Sequence, residues 1–244
     1  MTAPPQPPSS RDAWAAELTA RAKAHWTAAR TAELARGKTL LLPPAEAAPL
    51  LRALGLLRGD ASMPPAQVRK YFQINHMVAV LGPSLRELRA RHPVIRLLDA
   101  GCGRSYLTLL LAWCARHVWS HRLEVLGVDR DAAVIEECRR RTGLAELDDV
   151  VRFAAASLDG LDVAAAWAQA FGAGPGAMAP AVHGVIALHA CDTATCDALV
   201  LGVGLGAEML AVAPCCQAEL ARGWRAIAER GDGGAFAPIW QVPH

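Results

Sequence analysis

Leu97-Leu98-Asp99-Ala100-Gly101-Cys102-Gly103-Arg104-Ser105-Tyr106-Leu107 is the stretch on which the fold turns. An apolar run, Val94–Ala100, leads into Gly-Cys-Gly, and helical spacing resumes over 106–118. A buried strand that enters a helix through two glycines is how a doubly wound sheet presents a ligand site at its strand ends. Gly101 and Gly103 let the backbone turn tightly and approach the ligand closely. A dinucleotide would call for Gly-x-Gly-x-x-Gly, with the third glycine packing the helix against the strand around a pyrophosphate. Tyr106 stands at that third position and argues against NAD. Asp99, two residues before Gly101, suits instead an ammonium-bearing ligand without phosphate there, such as the amino-acid end of S-adenosylmethionine.

Outward from this motif, strands alternate with helices. Strands are expected at 123–128, 150–155, 182–188 and Met209–Ala213, and helices at 132–141, Val163–Phe171, 195–203 and 217–229. Short apolar strands alternating with helices predict an α/β fold, a doubly wound, Rossmann-like parallel sheet buried on both faces, in order 3-2-1-4-5. Asp129 ends the second strand, where such folds place an acid against ribose hydroxyls. Asp131 is better placed to cap the helix that follows. Ser157, or Asp159 just beyond it, is the candidate to close over the adenine after strand three.

Ahead of the motif lies a helical region. Residues 1–10 form a Pro/Ser tail expected to be disordered. Residues 11–66 are a basic helical region, with helices expected over 12–36 and 45–57. Pro64-Pro65 opens a third helix, which Gly82-Pro83 should break, leaving a last turn or two at 85–91. Gln73 and Asn75 are polar in an otherwise amphipathic segment and are candidates to close the ligand pocket from above; His76 reads as packing. The catalytic domain is placed at 67–244 and reads as C-terminally incomplete.

Four blocks resemble a known family: Gln73-Ile74-Asn75, Asp99 to Leu107, Leu188-His-Ala-Cys-Asp-Thr-Ala-Thr195 with Asp197, and Ala213-Pro-Cys-Cys-Gln217. The sequence resembles the class I S-adenosylmethionine-dependent methyltransferases. Within them it is similar to the methyltransferase-domain group that includes the glutathione S-transferase C-terminal-domain-containing proteins. The last two blocks also resemble tRNA ribose methyltransferases. The resemblance implies a transferase with S-adenosyl-L-methionine as cofactor, held by Asp99, Gly101, Gly103, Ser105, Asp129, Ser157 and Gln73. The chain departs from the pattern at Ser157, where the family usually carries an acid, and at Cys196. Class I methyltransferases normally have seven strands, the last two an antiparallel hairpin. Residues 231–244 leave little room for one and hold three glycines and two prolines, so strands six and seven are expected to be missing. Strand five would then be an apolar edge open to a partner chain.

The ends of strands four and five deliver His189, Cys191 and Asp192, and Cys215 and Cys216, to the place of methyl transfer. His189 or Asp192 can remove a proton from the acceptor. The cysteines admit three readings: covalent catalysis on a pyrimidine ring, a metal site with His189, or small buried residues. No metal is expected.

Composition narrows the setting. The seven cysteines form no CxxC pair and no disulfide framework, and no run approaches the roughly 20 apolar residues of a membrane span. The N-terminus has no signal-peptide pattern, so a cytoplasmic location is expected. Twenty-two arginines against three lysines, with high alanine, indicate a GC-rich bacterial coding sequence. Residues 1–93 carry 13 Lys/Arg and 6 Asp/Glu, whereas 94–244 carry 12 and 17. A basic front segment on an acidic catalytic domain makes RNA the first expected acceptor. A small molecule or protein acceptor, and a non-catalytic binding protein of the same fold, are the alternatives.

Overall fold

The computed structural model describes residues 11–172, 181–188, 193–213 and 230. Four helices come first: α1 (Arg11–His25), α2 (Ala28–Ala35), α3 (Ala48–Ala53) and α4 (Pro65–Arg91). Strands and helices then alternate: β1 (Val94–Ala100), α5 (Tyr106–His117), β2 (Arg122–Asp129), α6 (Ala132–Leu144), β3 (Val151–Ala155), α7 (Val163–Phe171), β4 (Gly184–Leu188), α8 (Thr193–Gly204) and β5 (Met209–Ala213). The five strands form one parallel sheet in the order β3-β2-β1-β4-β5. That is the order expected from the sequence. The expected absence of a sixth and seventh strand, and the helix at 217–229, fall on residues outside those described.

Neighbouring residues of a strand point to opposite faces, and here both faces are covered. Leu97, Val125, Phe153 and Ile186 pack on one face with α4, α5, α6 and the N-terminal helices. Leu98, Leu126 and Val185 pack on the other with Trp167 of α7 and Ala198 of α8. The first of these clusters continues into Leu18, Leu50, Leu51 and Leu57, so the basic helical region shares the core of the sheet.

The expected break at Gly82-Pro83 is corrected: α4 runs through Pro83 without interruption. A proline inside a helix costs about 3 kcal/mol. Tyr71, Ile74, Val78, Leu85 and Leu88 lie along one buried face on both sides of it. Each such side chain contributes about 1.5–3 kcal/mol by leaving water, so the buried face wins. Pro83 and Ala79, whose carbonyl loses its donor, are both exposed, so water replaces the lost bond.

The helix expected over 12–36 is two helices. Trp26 leaves the helical path, and its indole N–H donates to the Ala61 carbonyl at 2.9 Å. Thr27 then caps α2, its hydroxyl accepting from the Arg30 amide. Asn75 is also reassigned. It is buried in α4, and its Oδ1 accepts from the amides of Leu41 and Leu42 at 3.0 and 3.2 Å. The Tyr71 hydroxyl donates to the Leu42 carbonyl at 2.6 Å. Asn75 therefore pins the α2–α3 connection rather than closing a ligand pocket. His76, read as packing, is exposed.

Candidate functional site

The turn out of β1 is held open by its backbone. Gly101 and Gly103 have φ of 71° and 49°, the left-handed region that glycine enters without steric cost. Ser105 follows at φ 51°, a conformation that is strained for a residue with a Cβ. The amides of Gly101 and Cys102 donate to the Val128 carbonyl, both at 2.9 Å. The Gly103 amide donates to Asp129 Oδ2 at 2.9 Å, while Asp129 Oδ1 accepts from the Asp131 amide at 3.0 Å. The turn is thus tied to the end of β2 on three amides. Asp131 caps α6, as expected, accepting from the amides of Ala133 and Val134.

Beside this turn lies a cavity of about 370 Å³. Asp99, Gly101, Gly103, Ser105 and Asp129 line it from the strand ends, and Gln73 lines it from α4. Six of the seven residues expected at the cofactor are therefore brought together. Ser157 is not. It is exposed beyond the end of β3 and does not line this cavity. The physical reason is the path of the chain: Ala156 is still hydrogen-bonded to the Asp129 carbonyl, and Ser157 is the next residue out, where the side chain meets solvent. His189, Cys191, Asp192, Cys215 and Cys216 lie outside the described residues. Among the described residues, no group of His, Cys, Asp and Glu could hold a metal ion.

Asp99 is buried and takes a hydrogen bond from the Thr108 hydroxyl. Burial pushes its pKa up from 3.8 to about 7; the Thr108 bond pulls it down, and the Asp129 charge adds to the rise. No cation among the described residues is paired with it, so the carboxyl is suited to an arriving cationic group. Ser105 Oγ is buried beside Cys102 of this turn and Cys138 of α6 and makes no hydrogen bond of ordinary geometry to any described residue. A buried acid awaiting a cation, an uncommitted hydroxyl and a glycine turn fit the amino-acid end of S-adenosylmethionine.

The cysteine between the glycines is not chemically exposed. Cys102 is buried, and the neighbouring Cys138 thiol, together with burial, pushes its pKa up. The Cys138 thiol donates to the Gly103 carbonyl at 3.1 Å and braces the turn from α6.

The cavity also has walls that sequence reading missed. Lys70, Ile74 and Met77 come from α4, Arg104 and Tyr106 from the turn, and Leu188 from the end of β4. Lys70 Nζ sits 3.6 Å from the centre of the Tyr106 ring, and the Tyr106 hydroxyl donates to the Leu54 carbonyl at 3.2 Å. Burial raises the Tyr106 pKa, but Lys70, with Arg141 and Arg104, outweighs it and holds the phenol below its ordinary value. The signal for α4 was present in the spacing of Lys70, Gln73, Ile74 and Met77, which puts them on one helical face.

A comparison with the curated proteins returns no match. Among solved structures, the chain is similar to the N-terminal domain of human METTL16 in complex with S-adenosylhomocysteine, at 13% identity and a TM-score of 0.40 over 74% of this chain and 70% of that one. It is similar to a S-adenosylmethionine-dependent methyltransferase from Thiobacillus denitrificans in complex with S-adenosyl-L-homocysteine, at 16% identity and a TM-score of 0.32 over 62% of each chain. It is also similar to a geranyl diphosphate methyltransferase in complex with its substrate and sinefungin, at 18% identity and a TM-score of 0.33 over 67% of this chain and 55% of that one. The chain thus spans less than two thirds of the length of two of these proteins. At such distances these likenesses carry no argument about the acceptor. The family match is of another order. Residues 69–223 match the model described as "Methyltransferase domain". That stretch takes in the cavity wall on α4, the glycine turn and all five strands, and amounts to well over half of the chain: it belongs to the methyltransferase-domain family, whose class I members use S-adenosylmethionine as the methyl donor.

Proposed function

We propose that this domain methylates RNA in the cytoplasm of a bacterium, using S-adenosylmethionine. The observation that carries the acceptor is where the basic segment sits. Residues 1–93 hold 13 Lys/Arg against 6 Asp/Glu, and α4, the last helix of that segment, forms one wall of the cofactor cavity. A polyanion drawn to the segment is delivered beside the methyl donor. The partial resemblance to tRNA ribose methyltransferases supports the same reading. The four described cysteines are all free, three of them buried, which fits a reducing compartment.

When bound, the cofactor supplies a methyl group on a sulfonium, ready for in-line displacement. The chain's own residues orient it. Asp99 would accept hydrogen bonds from its ammonium group, and Lys70 and Arg104, which line the same cavity, would pair with its carboxylate. Asp129 would accept from the ribose hydroxyls while it holds the turn. His189 or Asp192 receives the acceptor proton.

Incubation with methyl-tritiated S-adenosylmethionine and separate pools of tRNA, ribosomal RNA, protein and small metabolites tests this reading. Label that enters RNA and is released by ribonuclease is the expected result. Label confined to the protein or metabolite pool would refute it.

A further inference from the structure

A second cleft, of about 650 Å³, shares Lys70, Arg104 and Tyr106 with the cofactor cavity. Its charged lining is Arg52, Lys70, Arg104, Arg140 and Arg141 against one acid, Glu137. These cations come from four separate places in the chain: α3, α4, the glycine turn and α6. Folding has gathered them onto one surface, and like charges held together repel unless an anion lies among them.

The pairing within the cleft leaves a strong excess. Glu137 is shared by Arg140 and Arg141, which hold its pKa down to about 2. Among the described residues, Arg52 reaches the Leu57 carbonyl, at 3.5 Å, and forms no ion pair. Neither Lys70 nor Arg104 forms an ion pair with any described acid. Arg52, Arg104 and Arg140 are exposed, so an incoming chain can reach them. Guanidinium groups match phosphate oxygens with paired N–H donors. Trp14 is the cleft's tryptophan; half-buried, it packs partly on the core and partly lines the cleft.

We propose that this cleft is the track for the sugar-phosphate backbone of a single-stranded RNA segment, with a base against Trp14. The inference rests on the RNA reading above and adds to it a path. Lys70, Arg104 and Tyr106 line both cavities, so a strand lying in the cleft runs up to the cofactor. Single-stranded RNA is favoured over a duplex because base stacking on an aromatic side chain needs unpaired bases.

The test compares the full chain with Arg52→Glu/Arg140→Glu, two residues that do not line the cofactor cavity. Binding of a fluorescein-labelled, unstructured RNA oligonucleotide is followed by anisotropy across a potassium chloride series. Binding of S-adenosylhomocysteine is followed by calorimetry. The expected result is RNA affinity lowered by tenfold or more, a slope of log affinity against log salt shallower by about 1.4, from about 0.7 for each lost phosphate contact, and unchanged S-adenosylhomocysteine affinity. Arg52→Lys/Arg140→Lys should keep most of the RNA affinity. If the charge-reversed protein loses S-adenosylhomocysteine binding, Arg52→Gln/Arg140→Gln supplies the same readouts. Equal RNA affinity and slope in variant and wild type, with cofactor binding intact, would overturn the track while leaving the RNA reading standing. A wild-type protein that binds no RNA would overturn both.

Discussion

The Gly103 amide donates to Asp129 Oδ2 across the gap between the turn out of β1 and the end of β2. One carboxylate thereby does two things: it fixes the glycine turn, and it keeps an acid in the lining of the cavity beside that turn. Asp129→Ala should weaken S-adenosylhomocysteine binding at least about tenfold, or about 1.4 kcal/mol. Asp129→Asn keeps one carbonyl acceptor and should fall between the two. Calorimetry on the three proteins checks the order, and equal affinities would remove Asp129 from the site.

Asp99 sets a pH dependence. Its folded pKa, pushed up to about 7, lies above the ordinary 3.8, so the folded protein holds the proton more tightly than the unfolded chain. This contribution to stability is therefore present below about pH 4 and is lost as pH rises through about 7. Asp99→Asn removes the group. In the ligand-free state it should melt several degrees higher than wild type at about pH 8 and nearly level with it at about pH 4, while binding no cofactor. Thermal melts at the two pH values decide the sign. A variant that is less stable than wild type at the higher pH would contradict the burial argument.

Asn75 separates structure from function. Asn75→Ala strands the buried Leu42 amide, at a cost of about 1–3 kcal/mol, and removes the acceptor of the half-buried Leu41 amide. The midpoint of urea unfolding should fall accordingly, with cofactor affinity at a permissive temperature within twofold of wild type. A selective loss of affinity would return Asn75 to the ligand pocket.

Gly82 and Pro83 are a reserve of stability. A Cβ on Gly82 meets nothing within 4 Å, and its φ is not in the left-handed region. Gly82→Ala should stabilise by about 0.5–1 kcal/mol. Pro83→Ala restores the donor to the Ala79 carbonyl and should add about 1–3 kcal/mol. Denaturant melts of the two variants and of the pair measure this; a loss of stability in Pro83→Ala would mean that the proline holds α4 in a shape the core requires.

What the sequence makes legible follows from how local the cause is. The five strands are readable because each is a short apolar run bounded by turn residues, and burial on both faces leaves no polar alternation to confuse the pattern. Asp99, Gly101, Gly103 and Asp129 are readable because the turn chemistry lies in a few consecutive residues. Pro83 misleads because its local penalty is visible, whereas Leu85 and Leu88, which outweigh it, act through the core that α4 shares with α5 and β1. Lys70 and Arg104 were missed because a cation on a helix face is ordinary until the fold places it against Tyr106. That Ser157 lies off the cavity lining was not readable, because the exit direction after β3 depends on the path of the backbone, which spacing does not encode.

The strand order has a consequence for synthesis on the ribosome. Leu97 and Gly184 are register partners in β1 and β4, yet 87 residues separate them in the chain. At about 5–20 residues per second, β1 is made roughly 4–17 seconds before the strand that covers its second edge. During that interval α4, β1, α5, β2, α6 and β3 can assemble with the glycine turn already in place, but one side of the central strand has no partner. The nascent protein thus carries its ligand-binding turn early and its most exposed backbone edge at the same moment, a window in which a chaperone or a cofactor that steadies the half-built sheet would have the most to protect.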